Sequence, residues 1–242
     1  MIKLDKNSLV VVTGAAKGNG RAISEAIEES GAKVVRVDLL ELEISEKNFV
    51  GQVTDKNFIN KVVRFCSDQK YETLTLINNA GVTLPNEYPY PIENWNKTID
   101  INLTAPFQWI EAFIPLLKKV SNGSIINITS LGAELAFPNN PAYMASKGGL
   151  KVLTKFYAKS LGKYGIRANN IAPGYIVTDM TEASYSNKKT KANREAHTFL
   201  GRWGEASDVA GVCLFLCSND SRYITGQDIC VDGGWTANGL IE

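Results

Sequence analysis

The chain has 242 residues, 44% hydrophobic and 21% charged, with a formal net charge of +1, which is the composition of one globular domain rather than a disordered or fibrous chain. At that length a single core buries roughly 70–75% of the surface the unfolded chain exposes, so no disulfide staples are needed. Interspersed acids and bases give no electrostatic case for nucleic acid or an anionic membrane, no apolar run nears the roughly 18–20 residues of a membrane span, and the charges between Met1 and Asn7 argue against a secretory signal.

Apolar, β-branched runs alternate with helical patterns along the whole chain. Ser8–Thr13 reads as a strand and Gly18–Ser30 as a helix; Lys33–Val37 is a second strand and Phe49–Val53 a weak third. The stretch between Leu39 and Lys47 is short for a crossover helix and predicts a loop or one turn. Lys56–Ser67 is helical, and Thr73–Ile77 is a strand that runs into Asn78-Asn79-Ala80-Gly81. Trp95 to Val120 predicts a long helical region bent by Pro106 and Pro115. Ser124–Ile128, Arg167–Ile171 and Asp228–Val231 are further strands, separated by helices at Tyr143–Lys163 and Ser207–Cys217. This alternation means βαβ units: an α/β domain spanning residues 1–242, with a parallel sheet covered on both faces. The four cysteines, Cys66, Cys213, Cys217 and Cys230, have no histidine at ligand spacing. They read as buried, reduced thiols with no metal site, which points to the cytosol.

Ligands of such sheets bind at the carboxyl ends of the strands. The first of these ends carries Thr13-Gly14-Ala15-Ala16-Lys17-Gly18-Asn19-Gly20, where glycines let the backbone approach a pyrophosphate and a helix start offers free N–H groups. The spacing differs from the G-x-G-x-x-G dinucleotide fingerprint. Asp38, ending the next strand, stands close to the offset expected of a ribose-binding acid. Its carboxylate would repel a 2′-phosphate by about 4 kcal/mol at about 4 Å and an effective dielectric of 20. Lys17 and Arg36 act in the opposite sense, although Arg36 shares a strand face with Asp38 and could pair with it. NAD is favoured over NADP.

Ser130 follows the fifth strand, and Tyr143 with Lys147 opens the next long helix, i,i+4 on one face. Free tyrosine titrates near pH 10; a neighbouring ammonium would lower that value towards the range of a useful general acid–base. Ser130 can donate to a substrate oxygen as negative charge develops there.

These pieces together carry a resemblance. Thr13–Gly20, Asp38, Asn78-Asn79-Ala80-Gly81, Asn102, Ser130, Tyr143, Lys147 and Pro173-Gly174 with Thr178 follow the order and spacing of the short-chain dehydrogenase/reductase family, which the chain resembles over nearly its whole length. The resemblance implies a Rossmann-type, doubly wound, mostly parallel sheet of seven strands, an NAD(P) cofactor and a homotetramer. It makes Tyr143 the acid–base and gives Lys147 the nicotinamide ribose as well as the tuning of Tyr143. Asn102 would anchor a water that relays protons through Lys147. Gly14, Lys17, Gly18, Asn19 and Gly20 would hold the phosphates, and Gln52 with Val53 the adenine. Asn79, Ala80 and Gly81 would line the adenosine side, while Pro173, Gly174, Ile176 and Thr178 would hold the nicotinamide end. Two positions depart from the family pattern. Asn19 stands where an aliphatic residue is usual, and Gln52 replaces an aspartate whose acceptor role its amide oxygen can fill.

Substrate recognition falls to Leu131–Asn140, to Val82–Tyr90 and to a polar segment from Asp179 to Leu200 that holds the only histidine, His197. The lysines of that segment read as a solvated face and His197 as structural. Gly201-Arg202-Trp203-Gly204 and Asp232-Gly233-Gly234-Trp235 look like family members that oxidise sugars, sugar acids or small polyols, and Asn139 and Asn140 could hydrogen-bond a hydroxylated substrate. The expected activity is hydride transfer between a secondary alcohol and a nicotinamide. The alternatives are a 3-oxoacyl-thioester reductase and a dinucleotide-sensing scaffold, the latter disfavoured because Ser130, Tyr143 and Lys147 are all present.

Overall fold

The computed structural model describes residues 2–43 and 45–238. Seven strands form one all-parallel sheet: β1 (Ser8–Thr13), β2 (Lys33–Asp38), β3 (Asn48–Val50), β4 (Thr73–Asn78), β5 (Asn122–Ile128), β6 (Ile166–Pro173) and β7 (Asp228–Val231), in the spatial order β3-β2-β1-β4-β5-β6-β7. The chain winds outward from β1 to β3 and then crosses back to β4, so the winding reverses between β1 and β4. That is where a crevice opens in a doubly wound sheet. The expected Rossmann-type architecture is the one observed.

Alternation along the strands separates two cores. Leu9, Val11, Val35, Leu74, Leu76 and Ile125 face α2 (Lys56–Ser67), α4 (Ala105–Leu117) and α5 (Pro141–Leu161). Val10, Val12, Val34, Ile77, Ile126 and Ile171 face α1 (Gly18–Glu29) and α8 (Ala206–Cys217). Every residue of β1 and β6 is buried; β1 therefore reads as a continuous apolar run from Leu9 to Val12, whereas β6 buries Arg167, Asn169 and Asn170 among its apolar residues. Cys66, Cys213 and Cys217 are buried as expected, but Cys230 is exposed. It lies on β7, which ends the sheet and is covered less.

Three elements differ from their sequence expectation. β3 ends at Val50, because Gly51 turns the chain: its N–H donates to the Asp38 carbonyl at 2.8 Å, and a Cβ there would sit 2.4 Å from the Phe58 ring. Gln52 and Val53 therefore lie past the strand, with the Val53 carbonyl held by the Trp109 indole at 2.9 Å. The long helical region is interrupted before Pro106 rather than at it. α3 (Ile92–Ile99) runs into a π-helical turn at Asp100–Thr104 before α4, and Pro115 sits inside α4. The polar segment after β6 forms two helices, α6 (Glu182–Ser186) and α7 (Lys188–His197).

Within this largely apolar sheet one rung is built of amides. Asn78, Asn127, Asn170 and Asp228 are register partners on β4, β5, β6 and β7. Asn78 Nδ2 donates to Asn127 Oδ1 (2.8 Å), Asn127 Nδ2 to Thr154 Oγ1 of α5 (2.7 Å), Thr154 Oγ1 lies 2.5 Å from Asn170 Oδ1, and Asn170 Nδ2 donates to Asp228 Oδ1 (2.6 Å). All three asparagines and Thr154 are buried, and a buried polar group stripped of its partner costs about 1–3 kcal/mol. Asn127→Leu strands two such groups, so it is expected to lower unfolding stability by about 2–4 kcal/mol in urea melts. Asn122→Ala, at the half-buried start of the same strand, gives up only a solvent-side bond to Asn219 (2.8 Å) and is expected to cost about 1 kcal/mol or less. Equal effects of the two would show that the rung adds nothing beyond its packing.

Candidate active site

The carboxyl ends of β1, β4, β5 and β6 open into one cleft of about 470 Å³. At its floor Gly14 and Gly18 have positive φ (67° and 54°), and a Cβ on Gly14 would stand 2.8 Å from the Ala80 Cα. Asn79 Nδ2 donates to the carbonyls of Thr13 and Gly14 (3.0 and 2.9 Å), and the N–H groups of Asn79 and Ala80 both donate to Thr13 Oγ1 (3.1 Å). Asn79 thus staples the end of β4 to the glycine-rich turn and keeps that turn open. Gly20 is the one predicted cofactor residue that does not line the cleft. It acts by closeness instead: a Cβ there would fall 1.9 Å from the Gly14 carbonyl oxygen, so only glycine lets α1 start against the turn.

Whether these residues suit a dinucleotide is decided by what is left unspent. α2 and α8 have side-chain caps from Asp55 and Glu205, whereas α1 has none, so its first N–H groups face the cleft without a partner. Asn19 also lines the cleft, and its Oδ1 is buried without a hydrogen bond. Farther along the same wall, the buried Asp38 accepts from the N–H groups of Ala16 and Leu40 (2.8 and 2.9 Å), one on each carboxylate oxygen, which leaves further lone pairs on both. Leu39, Leu40, Gln52 and Val53 line the cleft beside it. An anion-binding helix start, a glycine cradle and an acid beyond it fit a dinucleotide.

The two cations near Asp38 are engaged elsewhere. Arg36 does not pair with Asp38, as their shared strand face had suggested: α1 packs over that face and brings Glu28, whose carboxylate holds the Arg36 guanidinium at 2.7 Å. Lys17 reaches across the mouth to Asp179 at 2.9 Å, and both ends of that pair are well exposed. The lysine holds the Asp179 carboxyl below the usual carboxylate range.

At the other end Ser130, Tyr143 and Lys147 share the cleft with Pro173, Gly174, Ile176 and Thr178. Ser130 Oγ accepts the Gly132 N–H at 3.0 Å, which orients the oxygen and leaves its own proton to donate. A Cβ on Gly132 would stand 3.3 Å from the Tyr143 ring, so the turn after β5 needs glycine to lie against the phenol. Lys147 is buried and donates to the Ile128 carbonyl at 2.7 Å, with Nζ 5.8 Å from the Tyr143 ring centroid. Burial pushes the Tyr143 phenol above its ordinary value while the Ser130 side chain pulls it down. Burial also brings Lys147 down to about 8. The expected lowering of Tyr143 by Lys147 is therefore outweighed here. The ammonium is spent on a carbonyl, and desolvation disfavours charge on both groups.

Asn102, fully buried in the π-helical turn, uses its side chain as a clip: Oδ1 accepts from Val82 N (2.8 Å), while Nδ2 donates to Val82 O (2.9 Å) and lies 3.2 Å from Ser146 Oγ. A Cβ on Gly81 would come 3.3 Å from Asn102 Oδ1 and 3.5 Å from Lys147 Nζ, so the three meet around one small space. Asn139 and Asn140 do not line the cleft. Asn139 occupies a turn with φ 59°, and Asn140 is buried, donating to Thr83 Oγ1 at 2.6 Å. His197 stacks on Trp235 with ring centroids 4.1 Å apart. The reading by motif missed Lys97 and Ile101, which line the cleft from α3 and the π-helical turn, whereas Asp179, Met180 and Thr181 of its wall fall in the segment assigned to the substrate.

Known proteins match this arrangement along nearly the whole chain. The family model described as enoyl-(acyl carrier protein) reductase matches residues 14–236. A 3-oxoacyl-[acyl-carrier-protein] reductase of Thermotoga maritima is 35% identical, the alignment covering 95% of this chain and 98% of the relative. Among solved structures, the aldohexose dehydrogenase of Thermoplasma acidophilum superposes with a TM-score of 0.89 at 26% identity, covering 97% of this chain and 96% of the other. The gluconate 5-dehydrogenase of Burkholderia cenocepacia, in complex with NADP and tartrate, gives 0.87 at 27% identity with 97% of each chain covered. With its glycine-rich turn, its seven-stranded parallel sheet and these relatives along nearly its full length, the chain belongs to the short-chain dehydrogenase/reductase family of oxidoreductases.

Proposed function

We propose that this protein is an NAD-linked dehydrogenase that interconverts a secondary alcohol and a ketone on a sugar, sugar acid or small polyol. The observation that carries the reading is the meeting of Ser130, Tyr143 and Lys147 in the same cleft as the uncapped start of α1 and the buried Asp38. A bound NAD supplies the two-electron acceptor for the hydride of the alcohol carbon. Tyr143 takes the proton of the substrate hydroxyl at its Oη. Ser130 donates its free O–H to the same oxygen and steadies the charge that develops there. Lys147, held by the Ile128 carbonyl, keeps a cation beside the phenol, and Asn102 fixes the Val82 backbone that walls the space around Gly81 and Lys147. Pro173, Gly174, Ile176 and Thr178 serve as the apolar seat of the nicotinamide end.

The choice of NAD rests on Asp38 together with the engagement of Arg36 by Glu28 and of Lys17 by Asp179, since neither cation is free to meet a 2′-phosphate. The choice of a hydroxylated substrate rests on likeness to the sugar and gluconate dehydrogenases. A small-molecule enzyme of the cytosol, assembled as a homotetramer, completes the proposal. Exposed Val152 and Phe156, i,i+4 on α5, and exposed Phe107 on the adjoining α4 offer apolar surface for such an assembly. No helix of the described residues is long and apolar enough to cross a membrane. The likeness to a 3-oxoacyl-thioester reductase favours a second reading, ketone reduction on an acyl carrier, carried by the same residues.

The test is dinucleotide reduction across sugars, sugar acids, polyols and simple secondary alcohols, with NAD and NADP side by side. Tyr143→Phe is expected to cut kcat by at least about a thousandfold while dinucleotide affinity stays within about twofold; a variant retaining substantial turnover sinks the assignment. Asp38→Ala is expected to shrink the NAD-over-NADP ratio of kcat/KM by about tenfold or more, as the loss of roughly 1.4 kcal/mol of discrimination requires. An unchanged ratio would remove Asp38 from the ribose. Turnover of 3-oxoacyl thioesters with silence on the hydroxylated panel would establish the second reading instead.

A further inference from the structure

The α7 helix and the segments after β6 and β7 enclose an aromatic cluster whose centre is Tyr175. Its ring lies 4.7 Å from that of Trp235, 5.5 Å from Trp203 and 6.3 Å from Phe137. The cluster adjoins the reacting end of the cleft on two sides. Gly174 and Ile176, the neighbours of Tyr175, line that cleft, and a Cβ on Gly132 would touch both the Phe137 ring (3.2 Å) and the Tyr143 ring (3.3 Å).

Arg194 of α7 sits on this cluster, its guanidinium carbon 3.9 Å from the Tyr175 centroid and 5.3 Å from that of Trp203. Lys191, Arg202 and Lys17 nearby are paired, with Glu195, Asp208 and Asp179, while Lys188 and Lys189 of α7 lie exposed and away from the cluster's rings. Arg194 is half-buried, and among the described residues it has neither a carboxylate nor a hydrogen-bond acceptor. A guanidinium that stacks by its faces keeps the fork of N–H donors along its edge, and that fork matches a carboxylate in two parallel bonds. Contact with two rings also restricts the side chain, so less freedom is lost when an anion arrives.

We infer that Arg194 is the carboxylate-binding residue of the substrate site, so that the preferred substrate is a hydroxylated acid rather than a neutral sugar, a polyol or a thioester. This rests on the dehydrogenase reading and narrows it to one substrate class. The hydroxyl to be oxidised lies at Ser130 and Tyr143, and the acid end is held across the Phe137–Tyr175 wall. Arg194 makes the same contact before and during the reaction, so it acts on binding rather than on the chemical step.

The experiment compares D-gluconate with D-sorbitol, an acid and a polyol of equal carbon count, on wild type, Arg194→Gln and Arg194→Lys. For the acid, Arg194→Gln is expected to raise KM roughly 10- to 100-fold, the range of a lost charge-assisted hydrogen bond, with kcat little changed. Arg194→Lys, which keeps the charge and loses the fork, falls between the two. Sorbitol kinetics and the KM for NAD stay at wild-type values, which also shows that the variants are folded. Equal effects on acid and polyol, or no effect on either, would reduce Arg194 to a brace for α7 and leave the dehydrogenase reading intact. Where neither compound is turned over, fluorescence of the adjoining Trp203 and Trp235 decides by gluconate titration. A saturable change lost in Arg194→Gln sustains the carboxylate site whatever the reaction, and a wild-type protein that shows no change overturns it.

Discussion

The polar rung across β4, β5, β6 and β7 is the constraint on which the reacting end of the cleft depends. A parallel sheet covered on both faces has little use for buried amides, since each needs a partner or costs stability. Here the amides partner one another and, through Thr154, the helix α5 that carries Tyr143 and Lys147. α5 is tied to the end of β5 twice: Asn127 bonds to Thr154, and the next residue, Ile128, receives Lys147 two turns earlier on the helix. Two ties from adjacent strand residues to one helix, a known number of turns apart, set both the height and the rotation of α5. Tyr143 and Lys147 are placed beside Ser130 by that geometry, which lies one layer beneath the residues proposed to do the chemistry. The far end of the rung, Asp228, also takes Lys151 of α5 as an ion pair, with Glu134 as that lysine's second partner, so the tie continues to the surface.

Charge is arranged on the same economy. Lys17, Arg36, Lys191 and Arg202 each have an acid: Asp179 across the mouth of the cleft, Glu28 on α1, Glu195 one turn on along α7 and Asp208 at the start of α8. A basic residue near the cleft is therefore no evidence for an anion site until its partner is known. Lys17 looked in the sequence like a candidate for a phosphate, and it instead links the glycine-rich turn to Asp179 across the mouth. Through that pair the strand-to-helix turn after β1 and the chain after β6 close over the cleft from opposite sides. With both side chains more than half exposed, the pair is weak and is weakened further by salt.

How much could be read in advance follows from how local each signal is. Strands with apolar, β-branched runs, the glycine turn, and the order Ser130, Tyr143, Lys147 depend on near neighbours in sequence, and the structure has them where the pattern put them. What escaped depends on partners distant in the chain. Arg36 and Asp38 share a strand face, but the helix that covers this face supplied Glu28. The bend in the helical region was assigned to proline, yet it lies at Asp100–Thr104, where Asn102 clips the Val82 backbone twenty residues upstream. Asn139 and Asn140 precede Tyr143 and looked available to a substrate; neither lines the cleft, and Asn140 gives its Nδ2 to Thr83, in the loop it packs against. Asparagine is ambiguous in a sequence because its amide serves equally as ligand contact, turn former and internal staple.

The same non-locality governs the proton chemistry. An i,i+4 tyrosine–lysine pair invites the conclusion that the ammonium lowers the phenol. In the folded protein both groups are enclosed, and enclosure favours the uncharged form of each: the phenol moves up and the amine moves down to about 8. The Ser130 hydroxyl is what opposes burial at Tyr143, by hydrogen bonding that favours the phenolate. Ser130 therefore has two effects through one atom. Its oxygen is already fixed by the Gly132 N–H, so its proton is the mobile part, able to serve the phenol or a substrate oxygen standing next to it. A substrate oxygen that takes this hydrogen bond removes it from Tyr143, which makes the phenolate a stronger base, as the proposed proton abstraction requires. In the proposed reaction the roles of Ser130 and Tyr143 are thereby coupled by geometry, and a site with one of these groups displaced would lose the coupling even with both side chains present.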